Sequence, residues 1–116
     1  PRGVFSEIIK TKNAGQVSYF TVVPGATRGG HYHNSKTEKF LVVKGNAYFK
    51  FKNVFDDEYF ELSTTEGDGE VIETVPGWIH EVTNVGTGDL ICVVWASENF
   101  NLASPDTIAG TIEPSD

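Results

Sequence analysis

The chain has 116 residues, of which 39% are hydrophobic and 12% aromatic, a size and composition typical of one globular domain. Its formal net charge of -7 argues against nucleic-acid binding, because an acidic surface repels a phosphate backbone. The sequence holds no apolar run long enough to span a membrane and nothing that resembles a signal peptide, so we expect a cytoplasmic protein. The single Cys92 lies in an apolar run, which predicts a buried thiol and fits a reducing compartment.

Short runs of β-branched and aromatic residues, divided by glycine, asparagine and aspartate, predict an all-β fold. In chain order, the predicted strands are residues 4–9, 16–23, 27–33, 38–44, 47–54, 59–62, 70–75, 80–85 and 90–96. Alternation places Phe49 and Phe51 on one face, which is typical of a half-buried strand. Gly45-Asn46, between two apolar runs, predicts a hairpin turn. Residues 104–107 predict a capped turn of helix. This many short strands favours a closed or double-sheet β structure.

All three histidines and one nearby glutamate point to a single site. His31 and His33 are two residues apart, so on a strand their side chains leave the same face, opposite Tyr32. Glu38 follows five residues later, far enough for the chain to return on a neighbouring strand. Together with His80, these side chains predict a divalent-metal site of nitrogen and oxygen ligands. Zinc is the first choice of ion, and the ligand types also allow nickel, manganese or iron.

A metal-free site is the alternative interpretation of the same residues. Imidazoles that point into an apolar interior are unfavourable unless they are hydrogen-bonded or ligated. In the metal-free case the four side chains would hydrogen-bond to one another, and His31 or His80 would act as a general base. Both interpretations therefore predict a functional site at these positions.

Two stretches of the sequence resemble the motifs of the cupin superfamily. Gly25-x5-His31-x-His33-x4-Glu38-x6-Gly45 is similar to the first cupin motif. Gly69 through Gly77-x2-His80-x3-Asn84 resembles the second, except that Pro76 directly precedes Gly77. The resemblance implies an all-β jelly-roll barrel, the double-stranded β-helix, with a metal near its mouth.

A closer resemblance extends over nearly the whole chain. The matching segments are residues 2–7, 30–33, 37–43, 76–80 and 101–107. They look like the carboxy-terminal cupin domain of bifunctional reductase/epimerases that make UDP-N-acetyl-L-fucosamine for capsular polysaccharide. The resemblance implies that this cupin epimerises a UDP-4-keto-6-deoxy-N-acetylhexosamine at C3, and that a preceding reductase domain, absent here, then reduces C4 with NADPH. Residues 1–116 are therefore expected to be a single cupin domain from the C-terminal part of a longer enzyme, in keeping with a start at Pro1.

A more distant resemblance sharpens the question of mechanism. Residues 28–33 are similar to the Arg-Gly-Leu-His-Tyr-Gln signature of dTDP-4-dehydrorhamnose 3,5-epimerase, in which the histidine is a general base and no metal is needed. Here His33 replaces the glutamine, and Glu38 and His80 are present. His31 is thus a candidate both for a metal ligand and for the base.

Three further side chains are candidates for substrate binding. Arg28 suits a diphosphate because a guanidinium pairs well with phosphate, and Lys36 is a candidate for the same role. Trp78 can stack on the uracil or the sugar. The alternatives are a solvated or structural arginine and a packed tryptophan.

Other functions remain open on the sequence alone, since one fold hosts many functions. One is a metal-dependent dioxygenase or isomerase, and another is a sugar-binding or sensor module without catalysis. Apolar residues such as Leu41 and Val43 on the outer faces of strands predict a homodimer that covers them.

Overall fold

A computed structural model of the chain describes residues 2–99 and 106–112. This part of the chain forms ten β-strands. They are β1 (Phe5–Lys10), β2 (Gln16–Val22), β3 (Thr27–Tyr32), β4 (Glu38–Lys44), β5 (Asn46–Asn53), β6 (Tyr59–Thr65), β7 (Val71–Thr74), β8 (Trp78–Asn84), β9 (Leu90–Ala96) and β10 (Ile108–Ala109).

The strands form two five-stranded sheets in which every neighbouring pair is antiparallel. The first sheet has the order β1-β2-β9-β4-β7 and the second the order β10-β3-β8-β5-β6. Side chains from both sheets build one apolar cluster, which includes Phe20 and Phe40 from the first sheet and Phe49 and Phe51 from the second. The two sheets therefore pack face to face as a jelly-roll sandwich, and the predicted all-β fold is confirmed.

The prediction of a hairpin at Gly45-Asn46 is wrong. β4 lies in the first sheet and β5 in the second, so the turn carries the chain across the core instead of pairing its two flanking strands. Gly45 has a φ of +94°, and a Cβ there would lie 3.0 Å from the Asp89 carbonyl oxygen and the Leu90 Cα. Glycine therefore suits the turn, because of the positive φ, and also the close approach of this backbone to residues 89 and 90.

Asn84, at the end of β8, joins the two sheets on the side of the core away from the histidines. Its side chain is only 1% exposed. The amide nitrogen donates to the carbonyl oxygens of Val22, at 2.7 Å, and Gly88, at 2.8 Å. The amide oxygen accepts from the Gly86 amide at 2.9 Å. The Asn84 side chain thus holds the turn that follows β8 and also ties β8 to β2.

The remaining differences from the sequence prediction concern strand ends and the last segment. β6 is three residues longer than predicted, and β8 begins two residues earlier. Asp106 and Thr107 precede the short strand β10 and lie in no helix, whereas residues 104 and 105 lie outside the described ranges. Within the described ranges, no helix is long and apolar enough to cross a membrane.

Candidate metal centre and substrate cavity

The four predicted ligands lie on or directly after three strands, β3, β4 and β8, which belong to the two different sheets. His31 on β3 is the cross-strand partner of His80 on β8, so both belong to the second sheet. Glu38 is the first residue of β4 in the first sheet, and His33 directly follows β3. The site therefore bridges the two sheets where they open.

An irregularity in β3 sets the direction of His31. The β3–β8 register shifts between Gly29 and His31, and Gly29 and Gly30 have φ values of +112° and +77°. A Cβ at Gly29 would lie 2.5 Å from the His80 carbonyl oxygen, so only glycine fits. Tyr32, by contrast, flanks Gly110, outside the histidine cluster.

The four side chains converge closely enough to share one ion. One donor atom from each of His31, His33, Glu38 and His80 lies within 4.8 Å of the other three. The His33 Nε2 and Glu38 Oε1 atoms are 2.7 Å apart, and the His80 Nε2 and Glu38 Oε1 atoms are 3.5 Å apart. The ring centroids of His31 and His80 are 4.5 Å apart. Ligand bonds of about 2.0–2.2 Å require donor atoms within roughly 4.4 Å of one another, so a small closing movement completes the site.

Burial sets the charge of this cluster. Desolvation lowers the pKa of His80 to about 4, and desolvation followed by the charge of His33 lowers the pKa of His31. Both imidazoles are therefore neutral near pH 7 and have a lone pair to offer. Burial by itself would raise the pKa of Glu38, but the close contact with His33 and the other neighbouring groups lower it overall. The site thus combines neutral nitrogen donors with one carboxylate.

The hydrogen bonds of His33 test whether a cation fits. Its Nδ1–H donates to the backbone carbonyl of Asp106, and in the tautomer that this bond selects Nε2 carries a lone pair. That lone pair faces the Glu38 carboxylate oxygen at 2.7 Å. Two acceptors this close repel each other unless a proton or a metal ion lies between them. In addition, Nδ1 of the buried His80 meets no partner at hydrogen-bonding geometry. The residues fit a divalent metal ion.

Two cavities open onto the cluster and share His31 and Glu38 in their walls. The larger, of about 400 Å³, is also lined by Lys36, Gln16 and Glu98 among others. The smaller, of about 240 Å³, reaches His80. A small molecule in either space can therefore approach the candidate ligands.

The three predicted substrate-binding residues occupy different positions. Arg28 lines the smaller cavity, with its guanidinium carbon 5.8 Å from the Phe20 ring centroid. Lys36 is 6% exposed and lines the larger cavity. Trp78 lines neither cavity; it packs edge-on against Phe60 at 5.8 Å between ring centroids and contacts the core. The structure thus brings Arg28 and Lys36, but not Trp78, to the cavity walls.

Arg2 is a site residue that no sequence pattern predicted. Arg2 lines the smaller cavity beside Arg28 and donates to the Thr27 carbonyl at 3.3 Å. Burial and the charge of Arg2 lower the pKa of Arg28. Twenty-six positions separate them in the sequence, so no local pattern links them.

Asp106 is a second residue that the sequence analysis missed. Its carboxylate accepts hydrogen bonds from three backbone amides of the loop between β3 and β4. Burial would raise the pKa of this carboxyl, but the backbone amides of Ser35, Asn34 and Lys36 lower it to about 2. The group is therefore an anion at every pH near neutrality. Seventy positions separate it from Lys36, which hid the contact from sequence inspection.

Comparison with known proteins places this site in a family. The sequence family Polysaccharide biosynthesis C-terminal domain matches residues 1–108. The UDP-2-acetamido-2,6-beta-L-arabino-hexul-4-ose reductase of Pseudomonas aeruginosa is 54% identical over 112 residues, which are 97% of this chain and 30% of that protein. The crystal structure of the capsular polysaccharide assembling protein CapF from Staphylococcus aureus superposes with a TM-score of 0.91 and 40% identity, over 94% of this chain and 32% of that one.

More distant structures share only the fold. Oxalate oxidase, at 19% identity, superposes with a TM-score of 0.77 over 93% of this chain and 55% of that one. An uncharacterised Klebsiella pneumoniae protein with a double-stranded beta-helix domain, at 17% identity, has a TM-score of 0.71 over 95% of this chain and 85% of that one. The predicted cupin jelly roll is confirmed, as is the resemblance to the C-terminal cupin of capsular polysaccharide enzymes. The chain spans about a third of the length of its Pseudomonas and Staphylococcus relatives, and it belongs to the polysaccharide biosynthesis C-terminal domain family.

Proposed function

We propose that this chain epimerises a UDP-4-keto-6-deoxy-N-acetylhexosamine at C3, with the help of a divalent metal ion, during the synthesis of a capsular polysaccharide precursor. The observation that carries the proposal is the cluster of His31, His33, Glu38 and His80 at a cavity that also contains positive charge. Epimerisation beside a carbonyl needs a proton-transfer group and a group that stabilises the developing oxyanion, and this cluster offers candidates for both.

The relatives support the class of substrate. The Pseudomonas protein is named for a UDP-linked hexul-4-ose, a sugar whose carbonyl is at C4. C3 of such a sugar is next to the carbonyl, so its hydrogen is acidic enough to be removed by a side-chain base. CapF is named for capsular polysaccharide assembly. We infer that this chain acts on the same kind of UDP-sugar.

The positive side chains of the cavities suit the diphosphate. The chain carries a net charge of -7, yet Arg2 and Arg28 lie together on the wall of the smaller cavity. Two adjacent guanidinium groups repel each other, and a diphosphate between them would relieve that repulsion through charge-assisted hydrogen bonds. We propose that Arg28, with Arg2, binds the diphosphate. Stacking of Trp78 on the uracil stays a prediction, because its ring packs against Phe60 outside the cavity walls.

Proton transfer at C3 requires a base on one face of the sugar and an acid on the other. The base removes the C3 hydrogen and its bonding electrons move toward the C4 carbonyl oxygen; a proton is then returned to C3 from the opposite face. A bound divalent ion would supply a Lewis acid for the negative charge that develops on that oxygen. Lys36, buried in the wall of the larger cavity, adds a positive charge to the same end of the site.

His31 and His80 are the candidate proton-transfer groups. Both have a lowered pKa and are neutral near pH 7, so each can accept a proton. His31 lines both cavities, whereas His80 is 5% exposed and lines only the smaller one. Of the two, His31 is the one that a substrate reaches from either side. The variant His31→Gln distinguishes a role as metal ligand from a role as base. If the variant still binds zinc but no longer exchanges the C3 proton, His31 is the base.

Deuterium exchange tests the function directly. The UDP-4-keto sugar is incubated with the protein in deuterated water, and loss of the C3–H signal is followed by NMR with and without a chelator. We expect exchange in the zinc-loaded protein and its loss on chelation. Exchange that survives chelation would make the metal structural and support a histidine base alone. Binding without exchange would support a sugar-binding module, and oxygen-dependent turnover with iron or manganese would support a dioxygenase.

Two expectations about the whole protein accompany this proposal. A cytoplasmic site of action fits a nucleotide-sugar substrate and the free, buried thiol of Cys92. A homodimer would cover apolar side chains such as Val43, which is 46% exposed. Light scattering of the purified protein measures the second directly.

A further inference from the structure

We propose that Asp106 is a positioning residue of the metal centre, which fixes the orientation of His33 and the loop that carries Lys36. The inference rests on the proposed metal site, but it does not depend on which reaction that site catalyses. Asp106 lies outside the four-ligand cluster and approaches it from the segment after β9.

The carboxylate of Asp106 organises the whole loop between β3 and β4. One oxygen accepts from the Asn34 amide at 2.8 Å. The other accepts from the Ser35 amide at 2.8 Å, the Ser35 hydroxyl at 3.0 Å and the Lys36 amide at 3.1 Å. Three consecutive backbone N–H groups therefore converge on one anion, which is how a short loop is held in a single conformation.

The backbone of the same residue holds the ligand. The carbonyl oxygen of Asp106 accepts from Nδ1–H of His33, whose ring is buried. This contact selects one tautomer and directs the Nε2 lone pair toward Glu38, where a metal would bind. Because one residue binds both the loop and the ring, a change in its side chain alters the position of the carbonyl that His33 needs.

The rest of the segment keeps Asp106 in register with the site. β10 pairs with β3, so that Ala109 is the cross-strand partner of His31. The Gly110 amide donates to the Gly30 carbonyl at 2.9 Å, and Ile112 is 4% exposed. The segment 106–112 is therefore bound along the edge of the strand that carries the first ligand. Its pairing explains how a residue so far away in sequence can support His33.

The test compares Asp106→Asn with Asp68→Asn. Asp68 is a matched control because its carboxylate also caps a loop, accepting from the Thr65 amide at 2.9 Å, but it lines neither cavity. Zinc affinity is measured by competition with a chromophoric chelator. The tautomer of His33 is measured in the metal-free protein from the ring ¹⁵N shifts, which are readily assigned because the chain has only three histidines. Thermal unfolding of the metal-free proteins reports general stability.

We expect Asp106→Asn to lower zinc affinity by about 10–100-fold, as the loss of outer-shell support typically does. The His33 signals should also shift toward a mixture of tautomers. Asp68→Asn should keep wild-type affinity and tautomer even where its melting temperature falls as far. Zinc affinity within about twofold of wild type in Asp106→Asn would overturn the proposal, and so would an equal loss in Asp68→Asn.

A milder variant covers the case in which Asp106→Asn fails to fold. Ser35→Ala removes only the exposed hydroxyl contact to the Asp106 carboxylate. We expect a loss of zinc affinity of about threefold and partial mixing of the His33 tautomers, and unchanged values for both would count against the proposal. Neither readout uses a sugar substrate. Absence of deuterium exchange in the wild type would therefore refute the proposed epimerisation and leave this inference standing.

Discussion

Each end of strand β8 has a buried polar side chain, and only one of the two is fully hydrogen-bonded. At one end, Asn84 is 1% exposed and its amide makes three hydrogen bonds to backbone groups of 2.7–2.9 Å. At the other end, His80 is 5% exposed, its Nδ1 atom meets no partner at hydrogen-bonding geometry, and its Nε2 atom is 3.5 Å from Glu38 Oε1. Both side chains are polar and buried, but the Asn84 amide is fully hydrogen-bonded and the His80 ring is not.

The difference in hydrogen bonding indicates a structural role for Asn84 and a ligand-binding role for His80. A buried amide with every group paired stabilises the fold and needs nothing further. A buried set of lone pairs that face one another is unfavourable for the protein alone and becomes favourable when a cation binds. The comparison therefore predicts that substitutions at the His80 end change ligand binding and that substitutions at the Asn84 end change stability.

The largest effect is expected from Glu38→Gln, which keeps the shape of the side chain and removes the only negative charge among the candidate ligands. A neutral amide binds zinc poorly, so affinity should fall by at least about 100-fold and C3 exchange should fall with it. Chelator competition and deuterium NMR measure the two. Glu73→Gln is the control, because Glu73 pairs on the surface with Lys39 at 3.7 Å. Wild-type zinc affinity in Glu38→Gln would remove this residue from the ligand set.

Asn84→Ala tests the other end. It removes three buried hydrogen bonds that tie β8 to β2 and to its own turn, which should lower the free energy of unfolding by about 3 kcal/mol. The zinc affinity of the folded variant should not change. Asn53→Ala is the control, since Asn53 caps an exposed turn through the Phe55 amide at 2.8 Å and should cost less than about 1 kcal/mol. Urea unfolding measures both. A loss of zinc affinity in Asn84→Ala would show that the two ends are coupled.

The sequence predicts the core residues and the candidate ligands whose positions follow from local spacing. Period-two alternation identified Phe49 and Phe51 as core residues, and both are 1% exposed. The spacing of His31, His33 and Glu38, together with the second motif, predicted a cluster that the structure brings together. The prediction of Phe49 and Phe51 succeeds because a strand fixes the direction of a side chain from its position alone. The cluster was predicted from the types of its side chains and the spacing of the two motifs.

The failures concern contacts that no local pattern encodes. A glycine at a turn predicts the turn but not which sheet the next strand joins, so Gly45 was assigned to a hairpin that does not exist. β10 is two residues long, too short to show alternation. Arg2 and Asp106 reach the site from opposite ends of the chain, and only the strand pairing brings them there. Long-range pairing is what the sequence pattern leaves undetermined.

At the His80 end, Arg28→Ala tests substrate binding separately from metal binding. Loss of a charge-assisted contact with phosphate should raise KM for the UDP-sugar by about 10–100-fold, with kcat for exchange and zinc affinity nearly unchanged. Arg2→Ala should act in the same direction. Lys12→Ala, an exposed cation that lines neither cavity, is the control. If kcat fell and KM did not, Arg28 would act on the reacting centre instead of the diphosphate.

The smallest effect is expected in the core between the two ends, where Cys92 is fully buried. Burial raises the pKa of this thiol to about 12 from a reference of 9.0, so the folded state keeps the proton where the unfolded state loses it. Its contribution to stability is therefore complete below pH 9 and is lost as the pH rises from 9 toward 12. At pH 10 the loss is about 1.4 kcal/mol. Urea unfolding at pH 8 and pH 10 should show this extra loss in the wild type but not in Cys92→Ala. Because tyrosines and lysines also titrate in this range, the difference between the two proteins is the measured quantity, and equal losses would mean that Cys92 titrates alike in both states.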